Sequence, residues 1–437
     1  MKKIILYHPK TKHEDFYSFF WIPYSLLVVS SLIYEKYEVI IIDENLKGIK
    51  DSYLNKIKND ILCIGISSMI GKQIEGGLNF AKRIREINPS IPIIWGGHLP
   101  TILPKLTLKS EFVDIIVLGK GELIFKELVD KLANEKNIEK INGIGFKKEN
   151  KFIINNELAR NKSYDLPPFP WHLIDVHKYI QNDENIGEKI LNYISSLGCP
   201  FPCTFCSEKA MFGNSWVSFK ALRIINDIQF LIDNYKVDSI KFYDANFFGK
   251  KKHVFDFINL LNKKLIRINW AASGHPLTLN SLKQSDFDLL HKSGCKRLLI
   301  GAESGSQASL DLVKKSITPK TIIELSKKLK EASIIGSFTF IVGFPGMDIN
   351  EEIKQTIDLA DKIRKISSLH EIKIHFYAPF PGTELYQTAI EYGFQPPKTL
   401  QEWANYNYYN IETPWADTKY QEYIHNYNKN SCKYVNL

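Results

Sequence analysis

The sequence predicts an α/β chain in two parts: a doubly wound parallel sheet, then an open barrel of six strand–helix repeats. Three observations carry this. Short Ile- and Val-rich runs alternate with amphipathic stretches over residues 3–132, and such alternation asks for a parallel sheet with helices on both faces. The alternation resumes between residues 190 and 378. Between the two lies DLPPFPWHLID at 165–175, whose three prolines block helix and ladder alike. A chain of 437 residues also exceeds what one hydrophobic core ordinarily supports.

The first part reads as strands at 3–7, 38–42, 61–67, 91–95 and 114–118, with helices at 24–34, 73–87 and 122–132. In a Rossmann-like sheet of this kind a ligand sits beyond the carboxyl ends of the strands. That edge carries Ser67-Ser68-Met69, Gly96-Gly97-His98 and Gly119-Lys120-Gly121-Glu122. The second part reads as strands at 190–196, 239–243, 267–272, 297–302, 337–342 and 372–378, with helices at 221–235, 254–263, 282–292, 321–332 and 350–365. Six repeats with no sign of a second sheet describe a partial (β/α)6 TIM-like barrel, whose chemistry belongs at the strand carboxyl ends. The expected domains are 1–140, a surface linker over 141–185 that includes a hairpin-like piece, the barrel over 186–385, and an aromatic-rich extension over 386–437. In that extension Tyr406, Tyr408, Tyr409 and Trp415 are expected to pack the tail rather than line a pocket.

The 57 basic and 48 acidic residues give a charge of +9, spread as scattered lysines with no dense basic tract. Nucleic-acid binding is not indicated. MKKIILYHPK has too short an apolar run for a signal peptide. Residues 19–34 are the most apolar segment, interrupted by Pro23 and serines, and too short to span a bilayer. Cys63, Cys295 and Cys432 stand far apart without a Cys-x-x-Cys partner, which suits a reducing compartment, and the expected location is the cytoplasm.

The remaining cysteines fall together. GCPFPCTFCSE at 198–208 sets Cys199, Cys203 and Cys206 in a Cys-x3-Cys-x2-Cys spacing just after the first barrel strand. Three close thiolates favour zinc or an iron–sulfur cluster. A structural zinc site wants a fourth ligand at a compatible spacing, yet the next His is His253 and the next Cys is Cys295. A four-iron cluster on three thiolates leaves one iron open to bind a small chelating molecule and pass it an electron.

This loop resembles the signature of the radical S-adenosylmethionine (SAM) enzymes. The resemblance implies a [4Fe-4S] cluster on Cys199, Cys203 and Cys206, with SAM chelated at the open iron. Phe205 matches the aromatic usual near the adenine. FYDANFF ends the second barrel strand, where the family has a polar segment at the SAM amino group; Asp244 and Asn246 are the candidates, although the usual Gly-Gly-Glu form is absent. IGAESGS offers Glu303 and Ser304 toward the ribose and methionine, and IVGFPG places Gly343 where backbone meets adenine. Alone, each is an ordinary turn; recurrence at successive strand ends joins them.

The first part resembles the cobalamin-binding domain that precedes many radical SAM modules. Ser67-Ser68-Met69 stands for that family's Ser-x-Leu, and Gly96-Gly97 follows after 26 intervening residues. Small residues let a nucleotide tail slide against the sheet edge. The Asp-x-His-x-x-Gly element is missing; its window reads FWIPYS. Cobalamin without a histidine lower ligand is therefore expected. His98 is the nearest imidazole, with a solvated or hydrogen-bonding role. Gly119, Gly121 and Glu122 stand where relatives have Gly-Glu-Gly-Glu, with Lys120 departing from the pattern.

The two resemblances together imply methylation of an unactivated carbon. A 5′-deoxyadenosyl radical takes a hydrogen and methylcobalamin donates the methyl. A cyclisation or rearrangement that transfers no methyl is the alternative, and a non-enzymatic cobalamin sensor a third. Expected partners are a small-molecule or peptide substrate and an electron donor such as flavodoxin or ferredoxin.

Overall fold

The structure is a computed structural model that describes residues 1–10, 20–149, 151–155, 165–407 and 411–431. Tyr408, Tyr409 and Cys432 lie outside them. The chain divides into two compact units, Met1–Tyr179 with Pro397–Asn407, and Ile180–Pro396 with the residues after 407.

The first unit holds strands β1 (Lys3–His8), β2 (Glu38–Asp43), β3 (Ile61–Ser67), β4 (Ile93–Gly96), β5 (Ile115–Val117), β6 (Ile144–Lys148) and β7 (Lys151–Ile154) in the order β2-β1-β3-β4-β5-β6-β7. The first five are parallel, and β6–β7 is an antiparallel hairpin added at one edge. The order 2-1-3-4-5 reverses direction between β1 and β3, the point where doubly wound sheets bind ligands. β4 begins two residues later than the periodicity suggests because Pro92 cannot donate to a ladder. Helix Lys72–Ile87 buries Ile74, Gly77, Leu78, Ala81 and Ile84 on one face. Gly77 admits Trp95 so closely that a Cβ would stand 2.6 Å from the indole.

Residues 141–179, read above as linker, lie within this unit. Phe169, Trp171, Val176 and Tyr179 are buried, and Tyr24, Phe169 and Trp171 meet edge to face. Tyr179 donates its hydroxyl to Asp43 at 2.8 Å. The prolines turn the backbone, and the aromatics between them still find apolar cover. Helix Leu400–Ala404, capped by Thr399, packs against helix Lys72–Ile87 in the same unit. Tyr406 is buried there on Trp403, in keeping with a packing role.

The second unit holds β8 (Gln181–Asp183), β9 (Gly187–Tyr193), β10 (Ser196–Gly198), β11 (Trp216–Ser218), β12 (Ser239–Phe242), β13 (Asn269–Ser273), β14 (Cys295–Glu303), β15 (Ile335–Val342) and β16 (Glu371–Phe376). Its main sheet runs β16-β15-β14-β13-β12-β9-β8, six parallel strands with β8 antiparallel at one edge. This is the expected open barrel. The first parallel strand stops at Tyr193 rather than Ser196, because residues 196–198 leave the sheet to pair with 216–218. Along β14, Leu298, Ile300 and Ala302 are fully buried under the helices, so Arg297, Leu299, Gly301 and Glu303 face the lumen. Helix Pro319–Glu331 starts on a Thr318/Thr321 capping box with proline in its first turn. Cys63 and Cys295 are fully buried strand residues. No helix of the described residues is long and apolar enough to cross a membrane.

Candidate functional site

The C-terminal ends of the barrel strands bring the predicted residues to one edge, each with an identifiable task. Asp244, just past β12, is buried and turns its carboxylate to Ser195 and Ser196, which lead into the cysteine loop. It accepts from the backbone N–H groups of Ser195 at 2.6 Å and Ser196 at 3.0 Å, and from the Ser195 hydroxyl. Burial pushes its pKa up to about 6 against the downward pull of those donors. Its carboxylate therefore holds the loop base, a positioning task beside the SAM contact read from sequence. Asn246 is 1% exposed. Its amide N–H₂ points at Cys199 Sγ at 3.6 Å, and its Oδ1 is buried without a partner.

The cysteine loop is stitched to its neighbours through Thr204, which donates to Val313 and Leu312 carbonyls and accepts from Leu385 N–H at 3.0 Å. Burial pushes the Cys203 thiol up to about 11 and the Cys206 thiol to about 12, with Lys315 drawing Cys203 back down. The thiols feel one another: Cys199 acts on Cys203, and both act on Cys206.

Lys315 is the residue the sequence reading missed. It is 5% exposed and donates to Glu303 at 2.6 Å. Burial alone would lower its pKa, but Glu303, then Cys203, more than reverse this and leave the ammonium firmly charged. Glu303 ends β14 in a left-handed conformation, φ 62°, which is uncommon for a residue with a side chain. Gly301 makes room for the pair, since a Cβ there would stand 2.3 Å from Glu303 Oε1. Within KK at 314–315 nothing marks one lysine as buried; the only hint is an apolar helix face ending there.

Ser304 is fully buried and spends its hydroxyl on Thr356 and the Ser306 N–H. Gly343, at φ 81°, donates its N–H to Glu352 at 2.7 Å and accepts from Trp415 Nε1 at 2.9 Å. Trp415 thus packs the tail onto the fifth strand's end. Glu352 also accepts from Ser309 at 2.6 Å, tying two strand ends together. Phe205 faces Phe344, which in turn faces Tyr377, and the Tyr377 hydroxyl is buried without a partner.

This donor set fits the implied cluster. Three soft sulfurs lie within electrostatic reach of one another beside a buried cation that offsets their charge. Among the described residues, no three His, Cys, Asp or Glu side chains converge on a single ion; a cube instead takes each thiolate on its own iron. The unmet Asn246 and Tyr377 oxygens leave polar atoms for a ligand lying over the strand ends.

The corresponding edge of the first unit is built from small residues. Ser67 shares a hydrogen bond with Ser25 at 3.0 Å, and Ser68 exchanges backbone bonds with Gly96 and Leu99. A Cβ on Gly96 would meet nothing within 4 Å, so the space above it is open. Gly97 lies at φ 95°, with a would-be Cβ 3.1 Å from the Ser68 carbonyl. Thr101, unremarked in the sequence, donates to the Gly97 carbonyl at 2.7 Å and accepts from the Gly119 N–H at 2.9 Å, linking the ends of β4 and β5. Gly121 caps and Glu122 opens helix Glu122–Ala133. Burial pushes His98 down to about 4, so its imidazole is neutral. His8 ends β1 at the switch point with a buried Nδ1 that has no partner. Only its place after β1 would have singled it out. An open glycine edge with an unmet imidazole nitrogen fits a large flat ligand such as a corrinoid.

Comparison with known sequences agrees with both readings. The B12 binding domain model matches residues 17–129, and the Radical SAM superfamily model matches residues 193–360. The uncharacterized methyltransferase PH0819 of Pyrococcus horikoshii is 30% identical over 374 residues, covering 84% of this chain and 78% of that protein. This chain belongs to the cobalamin-dependent radical SAM enzymes. The cofactors of such an enzyme are a [4Fe-4S] cluster, SAM and cobalamin. The cytidylyl-2-hydroxyethylphosphonate methyltransferase of Streptomyces wedmorensis is 23% identical, covering 80% of this chain and 71% of that one. Among solved structures, the radical SAM methyltransferase TsrM of Kitasatospora setae superposes with a TM-score of 0.73 at 16% identity, over 90% of this chain and 76% of that one. The last likeness speaks to fold.

Proposed function

We propose that this cobalamin-dependent radical SAM enzyme is a methyltransferase that methylates an unactivated carbon of a small molecule or peptide. The observation that carries the reading is the thiol trio beside the Glu303–Lys315 pair, at the strand ends of a barrel that follows a B12 binding domain in one chain. The methyltransferase relatives favour methyl transfer over ring closure.

When bound, the cluster supplies the electron that cleaves SAM and the corrinoid supplies the methyl group. Cys199, Cys203 and Cys206 are assigned as the cluster's ligands. Asp244 holds the segment leading into the loop that presents them, and the Asn246 amide hydrogen-bonds Cys199 while its buried Oδ1 has no protein partner. Lys315 neutralises nearby thiolate charge and orients the Glu303 carboxylate toward donors on SAM. Phe205 and the Gly343–Phe344 turn offer an apolar face and backbone groups to the adenine. Ser304 shapes its loop. In the first unit, Ser67, Ser68, Gly96, Gly97, His98, Gly119, Gly121 and Glu122 form the corrinoid edge, their small size allowing close approach. An electron donor such as flavodoxin or ferredoxin supplies the reducing equivalent, and the free cysteines among the described residues are compatible with a reducing compartment such as the cytoplasm.

The test is anaerobic reconstitution with iron, sulfide and cobalamin, followed by SAM cleavage and tracing of methyl-labelled SAM in host extract. The expected result is 5′-deoxyadenosine formation with label in a new product. A product without the methyl label would indicate ring closure or rearrangement, and absence of 5′-deoxyadenosine would overturn the enzymatic reading.

A further inference from the structure

The barrel lumen holds a cavity of about 440 Å³, which meets the SAM site at Asp244 and extends below it. A space of that order takes an aromatic ring or a short alkyl chain. Most of the surface it presents is carbon, supplied in part by Ala245, Ala271, Ala272 and Leu299. Leu299 is central: register sets it between Ser273 on β13 and Ser337 on β15. It is the long aliphatic side chain of the lining, and it is only partly covered.

The polar groups behind that surface are already engaged. Arg297 pairs with Asp183 on β8 at 2.6 and 3.1 Å and with Glu371 on β16 at 2.9 Å. Its Nε is covered by protein and offers the cavity no surface. Lys241, level with Arg297 across Ala271, feels the same two carboxylates and has its own neighbours within the chain. Two lining cations thus answer two carboxylates, and the floor leaves no charge over for a ligand. Ser337 hydrogen-bonds Glu371, and Ser273 donates to the Asp244 carbonyl. The Asp244 carboxylate accepts from Ser195 and Ser196, and Tyr243 is engaged as well. Glu208 differs. It stands at the mouth, on helix Glu208–Phe212 after the cysteine loop, and its Oε2 is buried without a partner.

We infer that the lumen takes an uncharged apolar segment of the substrate, an alkyl or aryl group held by contact with Leu299 and the alanines. This rests on the reading above, in which the substrate meets SAM in the barrel. A charged or hydrogen-bonding group entering here would give up its water and find the inner partners occupied. A hydrocarbon segment gives up nothing of that kind and gains by leaving water.

Toluene, benzoate and benzylammonium share one ring and differ in charge. Each is titrated calorimetrically into the reconstituted holoenzyme with SAM present. Toluene should bind saturably, and each charged probe at least about tenfold more weakly. Leu299→Asn, close in volume but polar, should weaken toluene about five- to tenfold, and Leu299→Met, which keeps the carbon, should retain it. Absence of saturable toluene binding, equal affinity in Leu299→Asn, or benzoate binding as tightly as toluene overturns the inference. So does a preference for benzylammonium, which would make Glu208 the anchor. Cluster content and SAM cleavage measured on the same samples report the function separately. Their absence in the unsubstituted enzyme with toluene binding intact would sink the functional reading instead.

Discussion

The two strand-end edges of this chain solve opposite problems. The edge of the first sheet is nearly bare: Gly96 opens onto free space and Gly97 adopts a left-handed turn. The edge of the barrel is crowded with groups that dislike burial, among them Cys203, Asp244, Glu303 and Lys315, each at most 8% exposed. A bare edge binds by shape, through backbone and hydroxyls, and suits a broad ligand. A charged buried edge binds by electrostatics, and each group there needs a counterpart. The contrast teaches where each edge is fragile: the first to added bulk, the second to lost charge.

The hardest test of the contrast removes a sulfur. Cys203→Ala should abolish cluster retention and SAM cleavage while cobalamin binding to the first unit persists, as read by iron analysis and visible absorption. Retention of full SAM cleavage would break the comparison at its root. Removing a charge comes next. Lys315→Met strands Glu303, and an uncompensated buried charge costs about 3–5 kcal/mol, so the unfolding midpoint should drop sharply and SAM cleavage fall by about 10–100-fold. Adding Glu303→Gln should recover stability but not activity; recovery of both would show the pair to be structural only.

Bulk is the matching test for the first edge. Gly97→Val places a branched side chain at φ 95° against the Ser68 carbonyl. Backbone strain of about 1–3 kcal/mol should weaken cobalamin by roughly five- to a hundredfold and leave the cluster intact, seen by spectral titration. The last test concerns a feature that both units share. Burial pushes His98 in the first unit and His253 in the second down to about 4. Each folded value lies below the ordinary 6.5, so the unfolded chain binds more protons between pH 6.5 and 4. The stability contributed is present above that window and lost as pH falls through it, by about 3 kcal/mol at most per histidine. Urea midpoints at pH 7 and 4.5 should differ less in His253→Gln and in His98→Gln than in the parent; an unchanged difference would show that other groups govern acid loss.

Much of this molecule was legible in its sequence because periodicity reports which face of an element is covered. The alternation of β-branched runs and helical stripes specified two parallel sheets, and Cys-x3-Cys-x2-Cys after a barrel strand specified a three-thiol loop. Local chemistry decides such features within a few residues. What only the tertiary structure decided was pairing over long distances. Lys315 and Lys314 are neighbours with identical side chains, yet one is buried against Glu303 and the other is exposed. Arg297 meets Asp183 from 114 residues away, and the Pro-rich stretch hides its aromatics instead of lying on the surface. Burial and charge pairing depend on what the fold brings alongside, and a side chain's identity carries no record of its distant neighbours.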